Sequence, residues 1–251
     1  MTFVLLCGCG KDEPTTTDDS TVQQAPQTEA RISKITCKMG DALYGYSKWY
    51  WTDGQLSKVV VYNPDGEADD SISYTYDSGR VVRADGSDSY VLYSYSQDGL
   101  LTGETAFDRS SGESGSVTYS YIGGKMTHYM SCSYSDDPCL SVDYEYNTDG
   151  NIYKVTSSLE TFEDLEMTYD NMKNPFAGLP QIGGGYRYWL SIPLAAYTWL
   201  NKNNVVQTRQ ESANTSYSYE YNDKGFPIRM TGTSVIGDYT GTSEYVFEYE
   251  D

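Results

Sequence analysis

The sequence predicts an all-β protein, an antiparallel β-meander that closes or curls into a soluble barrel-like body with a short helical insert. The first observation is composition: 26 of the 251 residues are tyrosine, and tyrosine favours strands because its ring packs well on a pleated, half-buried surface. The second is alternation of aromatic and polar residues, which turns one face of each strand inward. The third is a glycine-containing turn that recurs about every 20–27 residues, the spacing of one hairpin per unit.

The charge balance limits the partners of the chain. It has 17 Lys and Arg against 36 Asp and Glu, a formal net charge of −19 and a pI of about 4.2. Nucleic-acid binding rests on basic contacts, so this balance argues against it. It also disfavours electrostatic docking on anionic lipid headgroups. We expect an acidic surface that keeps the protein soluble and monomeric.

The N-terminal residues indicate a lipid anchor. An apolar run from Thr2 to Leu6 precedes Cys7, Gly8 and Cys9. This arrangement resembles the lipobox of bacterial lipoproteins, in which a signal peptidase cuts before a cysteine that becomes lipid-modified. Residues 1–8 are therefore expected to be a truncated signal peptide and Cys9 the lipidated residue. Because a signal peptide ordinarily begins with basic residues and has an apolar core of about 7–15 residues, we expect an upstream extension of the reading frame.

Residues 9–32 are predicted to be a disordered tether. They are rich in Thr, Asp, Gln and Pro and show no apolar period, which is typical of a flexible linker. Such a tether has an r.m.s. reach of about 25 Å. The segment Gly10-Lys11-Asp12-Glu13 resembles a short acidic export signal of some Gram-negative lipoproteins. We expect attachment to the outer membrane at the cell surface, with the periplasmic face as the alternative.

The remaining residues, 33–251, are expected to form a single β-meander domain. Each unit has an aromatic-polar-aromatic segment, a polar turn with Gly and then an apolar residue. Asn or Asp followed by Gly supplies the positive φ of tight turns, and consecutive hairpins pair most simply with their neighbours. So many strands must curl, split or close. Since Ser, Thr and Glu separate the tyrosines, we expect Tyr inside and a wet outer face rather than a lipid-facing one. The units begin at Trp49, Tyr74, Tyr93, Tyr119, Tyr144 and Tyr219, and Tyr245–Tyr249 is a half-unit.

An insert at about residues 170–206 interrupts the pattern. Pro175 forbids a ladder hydrogen bond in a central strand, and Gly183-Gly184-Gly185 indicates a loop. Ser191 is suited to cap a helix that runs over Pro193 to Leu200, with proline early in the helix. A short helical insert near residues 186–204 is therefore expected to pack on an open end or face of the sheet.

These motifs together resemble a known but uncharacterised family. The Tyr-x-Tyr-Asn-x-x-Gly units, Tyr169–Phe176 and Leu200–Asn204 are similar to secreted bacterial lipoproteins with a domain of unknown function and a porin-like fold. The units alone also resemble the tyrosine-aspartate repeats of toxin shells, but the Asn-Pro-Phe segment favours the lipoproteins. The resemblance covers nearly all residues after Ser33. It implies a barrel-like protein at the surface of a gut bacterium, in some members called a lipid binder, and it brings no active site.

Catalytic and metal-binding patterns are weak. The single histidine, His128, lies in an apparent strand, where histidine is far more often a packed or surface residue than a general base. Acid pairs such as Asp69-Asp70 and Asp136-Asp137 are plentiful, but with 36 acids, most of them expected in turns, such proximity arises by chance. One His and scattered Cys exclude a plausible zinc site, and Asn63–Asp69 is better explained as a turn than as a calcium loop. We expect no enzyme activity, no cofactor and no metal.

Two further groups of residues are candidate sites. Cys132 and Cys139 flank a turn, so in an oxidising envelope they form either a disulfide, adding about 2–3 kcal/mol, or two free buried thiols; Cys37 stays unpaired. The aromatic residues are either core or ligand-stacking groups. The candidates are Tyr46, Trp49, Tyr50 and Trp51 as a platform for sugar rings, and Trp189 and Trp199 as the lining of an apolar pocket for acyl chains.

The sequence therefore predicts a non-catalytic binding module at the cell surface, with an extracellular glycan or another ligand. Its membrane contact is the lipid anchor, and nucleic acid is excluded. The alternatives are binding of an amphipathic lipid in the barrel interior, or a purely structural envelope protein. A hydrolase is the least favoured function.

Overall fold

The computed structural model describes residues 31–133, 138–160, 163–179 and 199–250. Within these ranges the chain forms sixteen strands. They are β1 (Ile32–Met39), β2 (Ala42–Thr52), β3 (Gln55–Tyr62), β4 (Ala68–Asp77), β5 (Arg80–Asp85), β6 (Ser89–Tyr95), β7 (Leu101–Asp108), β8 (Gly112–Ile122), β9 (Lys125–Ser133), β10 (Leu140–Tyr146), β11 (Ile152–Ser157), β12 (Leu165–Lys173), β13 (Asn203–Arg209), β14 (Ala213–Tyr221), β15 (Pro227–Ile236) and β16 (Tyr239–Tyr249).

The strands form one closed barrel. Each strand pairs antiparallel with its neighbours in sequence, and β16 pairs with β1 to complete the circle. At this closure Ile35 stands opposite Phe247, and Cys37 opposite Tyr245. The predicted all-β antiparallel meander is therefore confirmed, and of the two expected alternatives, closing and curling, the sheet closes. Closure leaves no unpaired sheet edge along the wall.

On each even-numbered strand one set of alternating residues, mostly aromatic, faces the interior. On β2 the ring of Trp49 is 3% exposed whereas its neighbour Tyr50 is 43% exposed, as the two-residue period of a strand requires. Each even-numbered strand buries a large side chain at the position equivalent to Trp49 of β2. The eight are Trp49, Tyr74, Tyr93, Tyr119, Tyr144, Met167, Tyr217 and Phe247.

The two ends of the barrel are named here by the strand ends and turns that they carry. We call the rim that carries the start of β1, the end of β16 and the turns after even-numbered strands the proximal end, and the opposite rim the distal end. Two-residue turns at Asp53-Gly54, Ser78-Gly79 and Gly123-Gly124 have positive φ at both positions. This is the type I′ conformation, whose twist matches that of the flanking strands.

A β-bulge recurs in every pairing of an even-numbered strand with the odd-numbered strand that follows it. One extra residue on the odd-numbered strand shifts the register near the proximal end. The extra residues are Ser33, Ser57, Val82, Thr102, Thr127, Tyr153, Val206 and Ile228. Bulges are common at barrel rims because they bend the strand and interrupt its ladder.

The expected helical insert is not seen among the described residues. β12 continues to Lys173 and β13 begins at Asn203, so the interruption is shorter than the expected 170–206. Trp199 and Leu200 form a turn, and residues 180–198, which include most of the expected helix, lie outside the described ranges. Residues 1–30, with the expected signal peptide and most of the tether, lie outside them as well. Across the described residues no helix is long and apolar enough to cross a membrane.

Candidate functional sites inside and outside the barrel wall

A ring of hydrogen bonds closes the proximal end from inside. One aromatic side chain from each even-numbered strand donates to a backbone carbonyl on the preceding odd-numbered strand; the Tyr121 hydroxyl, for example, lies 2.8 Å from the Leu101 oxygen. We call this the proximal ring. Its donors and acceptors are Trp51 to Ile32, Tyr76 to Leu56, Tyr95 to Val81, Tyr121 to Leu101, Tyr146 to Met126, Tyr169 to Ile152, Tyr219 to Val205 and Tyr249 to Pro227.

The bulges explain where these acceptors lie. Every acceptor is the residue immediately before a bulge residue, as Leu56 precedes Ser57 and Val81 precedes Val82. A bulge interrupts the ladder locally, and a buried carbonyl needs a partner from elsewhere. The aromatic residue of the next hairpin supplies that partner, so neighbouring hairpins are linked by a side chain as well as by the sheet.

Burial keeps the phenols of the ring protonated. It raises the pKa of Tyr95 and of Tyr121 to about 12. It raises the pKa of Tyr146 and Tyr249 as well. Across the neutral range these groups are therefore hydrogen-bond donors, as the ring requires.

A segment of the chain crosses the interior at this end. Residues 174–179, which we call the plug segment, follow β12, yet the ring of Phe176 lies 6.2 Å from that of Trp49 on β2 and 6.2 Å from that of Phe247 on β16. Three strands separate β12 from β16 along the wall. The segment must therefore reach across the barrel, and Phe176 and Leu179 are buried there.

Buried asparagines hold the plug segment to the rim. The Asn174 amide nitrogen donates to the Asn201 carbonyl at 2.8 Å, and its Oδ1 accepts from the Phe176 backbone at 2.9 Å. Asn201 Oδ1 accepts from the backbone nitrogen of Ile152 at 2.8 Å, and Asn151 Oδ1 accepts from that of Lys202 at 2.8 Å. An amide both donates and accepts, so each asparagine ties two segments together.

A carboxylate beside this network has fixed partners. Asp170 Oδ1 accepts from the backbone nitrogens of Met172 and Asn204 at 2.9 and 3.1 Å, and the Tyr221 hydroxyl donates to Oδ2. Burial, and then the hydrogen bond to Asp170, raise the pKa of Tyr221. The pair closes a corner between β12, β13 and β14, and these bonds indicate a structural role.

A small cavity lies between the plug segment and the wall. Its volume is about 20 Å³, and its lining includes Phe176, Tyr219 and Met230. A cavity of about 10–15 Å³ holds one water molecule, whereas ligand pockets measure about 300–1,000 Å³. This cavity is suited to a water molecule and is too small for an acyl chain.

The outer wall of β2 and β3 carries five side chains that we call the aromatic–lysine surface: Tyr46, Lys48, Tyr50, Lys58 and Tyr62. The rings of Tyr46 and Tyr62 are stacked, with centroids 4.7 Å apart and planes inclined by 9°. The Lys48 ammonium lies 5.3 Å from the centroid of Tyr62. Tyr50 hydrogen-bonds Tyr62, which raises the pKa of Tyr50. Tyrosine and lysine thus form one contiguous outward group.

A second stacked pair lies further around the outer wall. The rings of Tyr90 and Phe107 are 4.8 Å apart, and the Arg83 guanidinium lies 3.9 Å from the Tyr90 centroid. Asp85 accepts from Arg83 at 2.7 Å and from Arg109 at 2.7 Å. The hydrogen bond from Arg83, with that from Arg109, lowers the pKa of Asp85. In this group both cations pair with one carboxylate of the protein.

The structure separates the four residues expected to form one sugar platform. Tyr46 and Tyr50 face outward, whereas Trp49 is buried inside and Trp51 belongs to the proximal ring. The reason is the strand period: odd and even positions of β2 point to opposite sides of the wall. Trp199 is half-buried against the core, and Trp189 and Cys9 lie outside the described residues.

The cysteines have distinct states. Cys132 and Cys139 form a disulfide, and Cys37 is a buried free thiol whose pKa is raised by burial. His128 lies on the outer wall, with Nδ1 2.8 Å from a carboxylate oxygen of Asp143. Over the described ranges no cluster of three or more His, Cys, Asp or Glu side chains is suited to hold a metal ion.

Sequence reasoning missed Tyr62 and the asparagines. Tyr62 follows three valines and belongs to no aromatic-polar-aromatic unit, and it reaches Tyr46 only because the bulge at Ser57 shifts the register. The recurrence of Asn in Asn201-Lys202-Asn203-Asn204 was a visible signal, since buried asparagine is stable only within hydrogen bonds.

These features define a class: a closed antiparallel barrel of porin-like fold whose proximal interior is occupied by its own chain. A solved structure of a porin-like protein from Bacteroides uniformis is similar at 17% identity, with a TM-score of 0.60 over 86% of this chain and 96% of that one. A porin-like protein from Bacteroides vulgatus matches at 11% identity and a TM-score of 0.45, over 88% and 99% of the two chains. No protein-family profile and no curated protein matches the sequence. The first likeness confirms the expected porin-like fold.

Proposed function

We propose that this chain is a non-conducting barrel of the bacterial cell envelope, water-exposed on its outer wall, tethered by a lipid on Cys9 and binding an extracellular ligand on that wall without catalysis. The tether, the location and the binding role were predicted from the sequence. The structure contributes physical support for the wet outer wall and for the occupied interior.

The observation that best supports the proposed function is the presence of ion pairs on the outer wall. Outward side chains on adjacent strands form ion pairs, with Lys38 Nζ 2.8 Å and Arg229 Nη1 2.6 Å from the carboxylate of Glu244. Lys34 and Glu248 form another pair across β1 and β16, at 2.8 Å. A lysine or arginine facing lipid at the bilayer midplane costs about 2–4 kcal/mol. The wall is therefore suited to water.

The interior supports a closed rather than a conducting barrel. Sixteen-stranded porins leave an aqueous channel, but here the proximal ring, the buried level that contains Trp49 and the ring of Phe176 lie where a channel would open. The cavity that the described residues form beside Phe176 has a volume of about 20 Å³, which is too small for an acyl chain. The outer wall is the more favourable binding surface.

The path of the chain positions the aromatic–lysine surface on the wall. The tether joins β1 at the proximal end, and the first residues of β2, which lead to Tyr46, start at the distal end. The aromatic–lysine surface therefore runs along the outer wall from Tyr46 and Tyr62, nearer the distal end, to Tyr50 and Lys58, nearer the proximal end.

Metabolic labelling tests the anchor. Expressed from its native locus with a palmitate analogue, the protein is expected to be labelled, and Cys9→Ala to abolish the label. Cys7→Ala is the matched control, since it lies two residues upstream, and is expected to keep the label. Equal labelling of wild type and Cys9→Ala would refute lipidation at this residue.

Partition and conductance test the wall and the interior. The Cys9→Ala protein is expected to stay in the aqueous phase of a detergent phase separation, because its outer wall is charged. In planar bilayers it is expected to produce no channels. Recovery in the detergent phase, or stepwise ionic currents, would refute the proposal.

A further inference from the structure

The lysines of the aromatic–lysine surface have no carboxylate partner. Lys34, Lys38 and Arg229 each lie in an ion pair, whereas among the described residues neither Lys48 nor Lys58 forms one. Some other cations of the described chain also lack an ion pair. Lys48 and Lys58 are distinguished by sharing one outward face with three tyrosines, two of which are stacked.

The register adds an electrostatic cost. Lys34 stands directly opposite Lys48 across β1 and β2, and like charges directly opposite each other destabilise a sheet. Glu248 neutralises Lys34, which leaves Lys48 as the uncompensated charge. Lys58 stands opposite Tyr50 and, with Lys48, acts electrostatically on the Tyr50 hydroxyl. The cost would be relieved by an anion bound between the two lysines.

The aromatic groups supply the second element of a site. Tyr62 stands opposite Tyr46 on one side and opposite Ala68 of β4 on the other. The methyl group of Ala68 is too short to cover a phenol ring, so a ligand has access to the ring of Tyr62 from that side. A flat phenol face bordered by hydroxyl groups is suited to the C–H face and the hydroxyls of a sugar ring.

We propose that the aromatic–lysine surface binds an acidic polysaccharide, whose carboxylate or sulfate groups pair with Lys48 and Lys58 while a sugar ring packs against Tyr62. The proposal rests on the proposed function, in which the outer wall is the ligand-binding surface, and it specifies the ligand class. Charge complementarity selects the acidic ligand. The stacked phenol rings beside the lysines favour a polysaccharide over lipid headgroups, because a sugar ring can pack against them.

Calorimetric titration of the full-length protein with polygalacturonate tests this directly. Binding is expected, and fully methyl-esterified polygalacturonate, which has the same backbone without the charge, is expected to bind about tenfold more weakly. Affinity is expected to fall with salt, because about 1 M salt shortens the Debye length to about 3 Å. Equal affinity for both polymers, or no binding of polygalacturonate or chondroitin sulfate, would overturn the proposal.

Variants locate the site. The double variant Lys48→Gln/Lys58→Gln and the single variant Tyr62→Ala are each expected to lose about tenfold in affinity, and Tyr62→Phe to retain binding. Tyr90→Ala is the matched control, since it breaks the other stacked pair, whose cations already pair with Asp85, and it should bind like wild type. Unchanged affinity in the lysine variant, or an equal loss in Tyr90→Ala, would overturn the assignment.

The experiments distinguish a wrong ligand class from a wrong envelope function. Vesicles of phosphatidylglycerol are the competing anion, and binding to them without binding to polygalacturonate would overturn the polysaccharide. Palmitate labelling and the absence of conductance do not depend on these five side chains. If only the polysaccharide assays fail, the ligand class is wrong; if labelling and partition fail, the envelope function is wrong.

Discussion

The two ends of the barrel are held together in different ways. At the proximal end the ring bonds link each even-numbered strand to the odd-numbered strand before it, all around the barrel, and the plug segment crosses the interior. At the distal end the hairpin tips expose apolar side chains, with Tyr44 57% and Tyr239 67% exposed. The disulfide between Cys132 and Cys139 stabilises one of these tips alone. We infer that stability is concentrated at the proximal end and that distal changes act locally.

Turn geometry accounts for the contrast. The bulges at the proximal end fall at the same position in each hairpin, so the freed carbonyls and the aromatic donors have a constant spacing around the rim. Near the distal end a register shift occurs in some hairpins, as between Cys37 and Lys38 or between Ala106 and Phe107, and is absent from others, as between β15 and β16. A repeated geometry permits a continuous ring, and an irregular one does not.

Alkaline pH is expected to have the largest effect, because it acts on all phenols of the ring together. Burial raises the pKa of Tyr95 and Tyr121 from an ordinary value of 10.0 to about 12. The unfolded chain therefore loses protons first, so stability is complete below pH 10 and falls between about pH 10 and 12. Tyrosinate absorbance and circular dichroism are expected to change together in that interval.

The distal end provides the control for this titration. The double variant Tyr44→Phe/Tyr239→Phe removes two exposed hydroxyls without touching the ring and is expected to unfold over the same pH interval as wild type. If most phenols ionise while the β-sheet signal persists, the ring does not carry the stability assigned to it.

Removal of the plug aromatic is expected to have the next largest effect. Phe176→Ala deletes a buried ring that contacts Trp49 and Phe247 across the interior. A substitution of this kind costs about 3–5 kcal/mol in free energy of unfolding. Urea denaturation measures it. Tyr44→Ala, an equally aromatic deletion at the distal end, is expected to change stability by no more than about 0.5 kcal/mol, and a similar loss in both variants would contradict the contrast between the ends.

The sequence was sufficient for the strands, the turns and the inward tyrosines. These follow from local pattern, since the two-residue alternation around Tyr74 or Tyr144 and a glycine at Gly79 or Gly124 act within one hairpin. The number of hairpins required the sheet to curl, split or close, and did not decide between these. What each strand pairs with could be derived in outline, because sequential hairpins pair with their neighbours.

The register and the long-range contacts could not be derived. Counting back from the turn at Asp53-Gly54 without a bulge places Val61 opposite Tyr46, and the observed partner is Tyr62. Nothing local to Ser57 indicates that it is an extra residue. Likewise, Phe176 meets Trp49 only because the chain crosses the barrel, which depends on the closed circle as a whole. The aromatic–lysine surface therefore became visible only with the structure.

A single ring hydroxyl is expected to have the smallest effect, and it tests whether the ring acts as a unit. Tyr121→Phe leaves the Leu101 carbonyl without its phenol donor, at a cost of about 1 kcal/mol. Tyr153→Phe is the matched control, because its hydroxyl bonds Glu145 on the exposed outer wall, and it is expected to cost less than about 0.5 kcal/mol.

Leu101 is also the register partner of Tyr95, so adjacent ring bonds share a hairpin. In a double-mutant cycle by urea denaturation, Tyr95→Phe and Tyr121→Phe are therefore expected to be non-additive. If the losses in free energy of unfolding are strictly additive, each ring hydrogen bond stabilises its own strands independently. The proximal end would then differ from the distal end only in the number of its bonds.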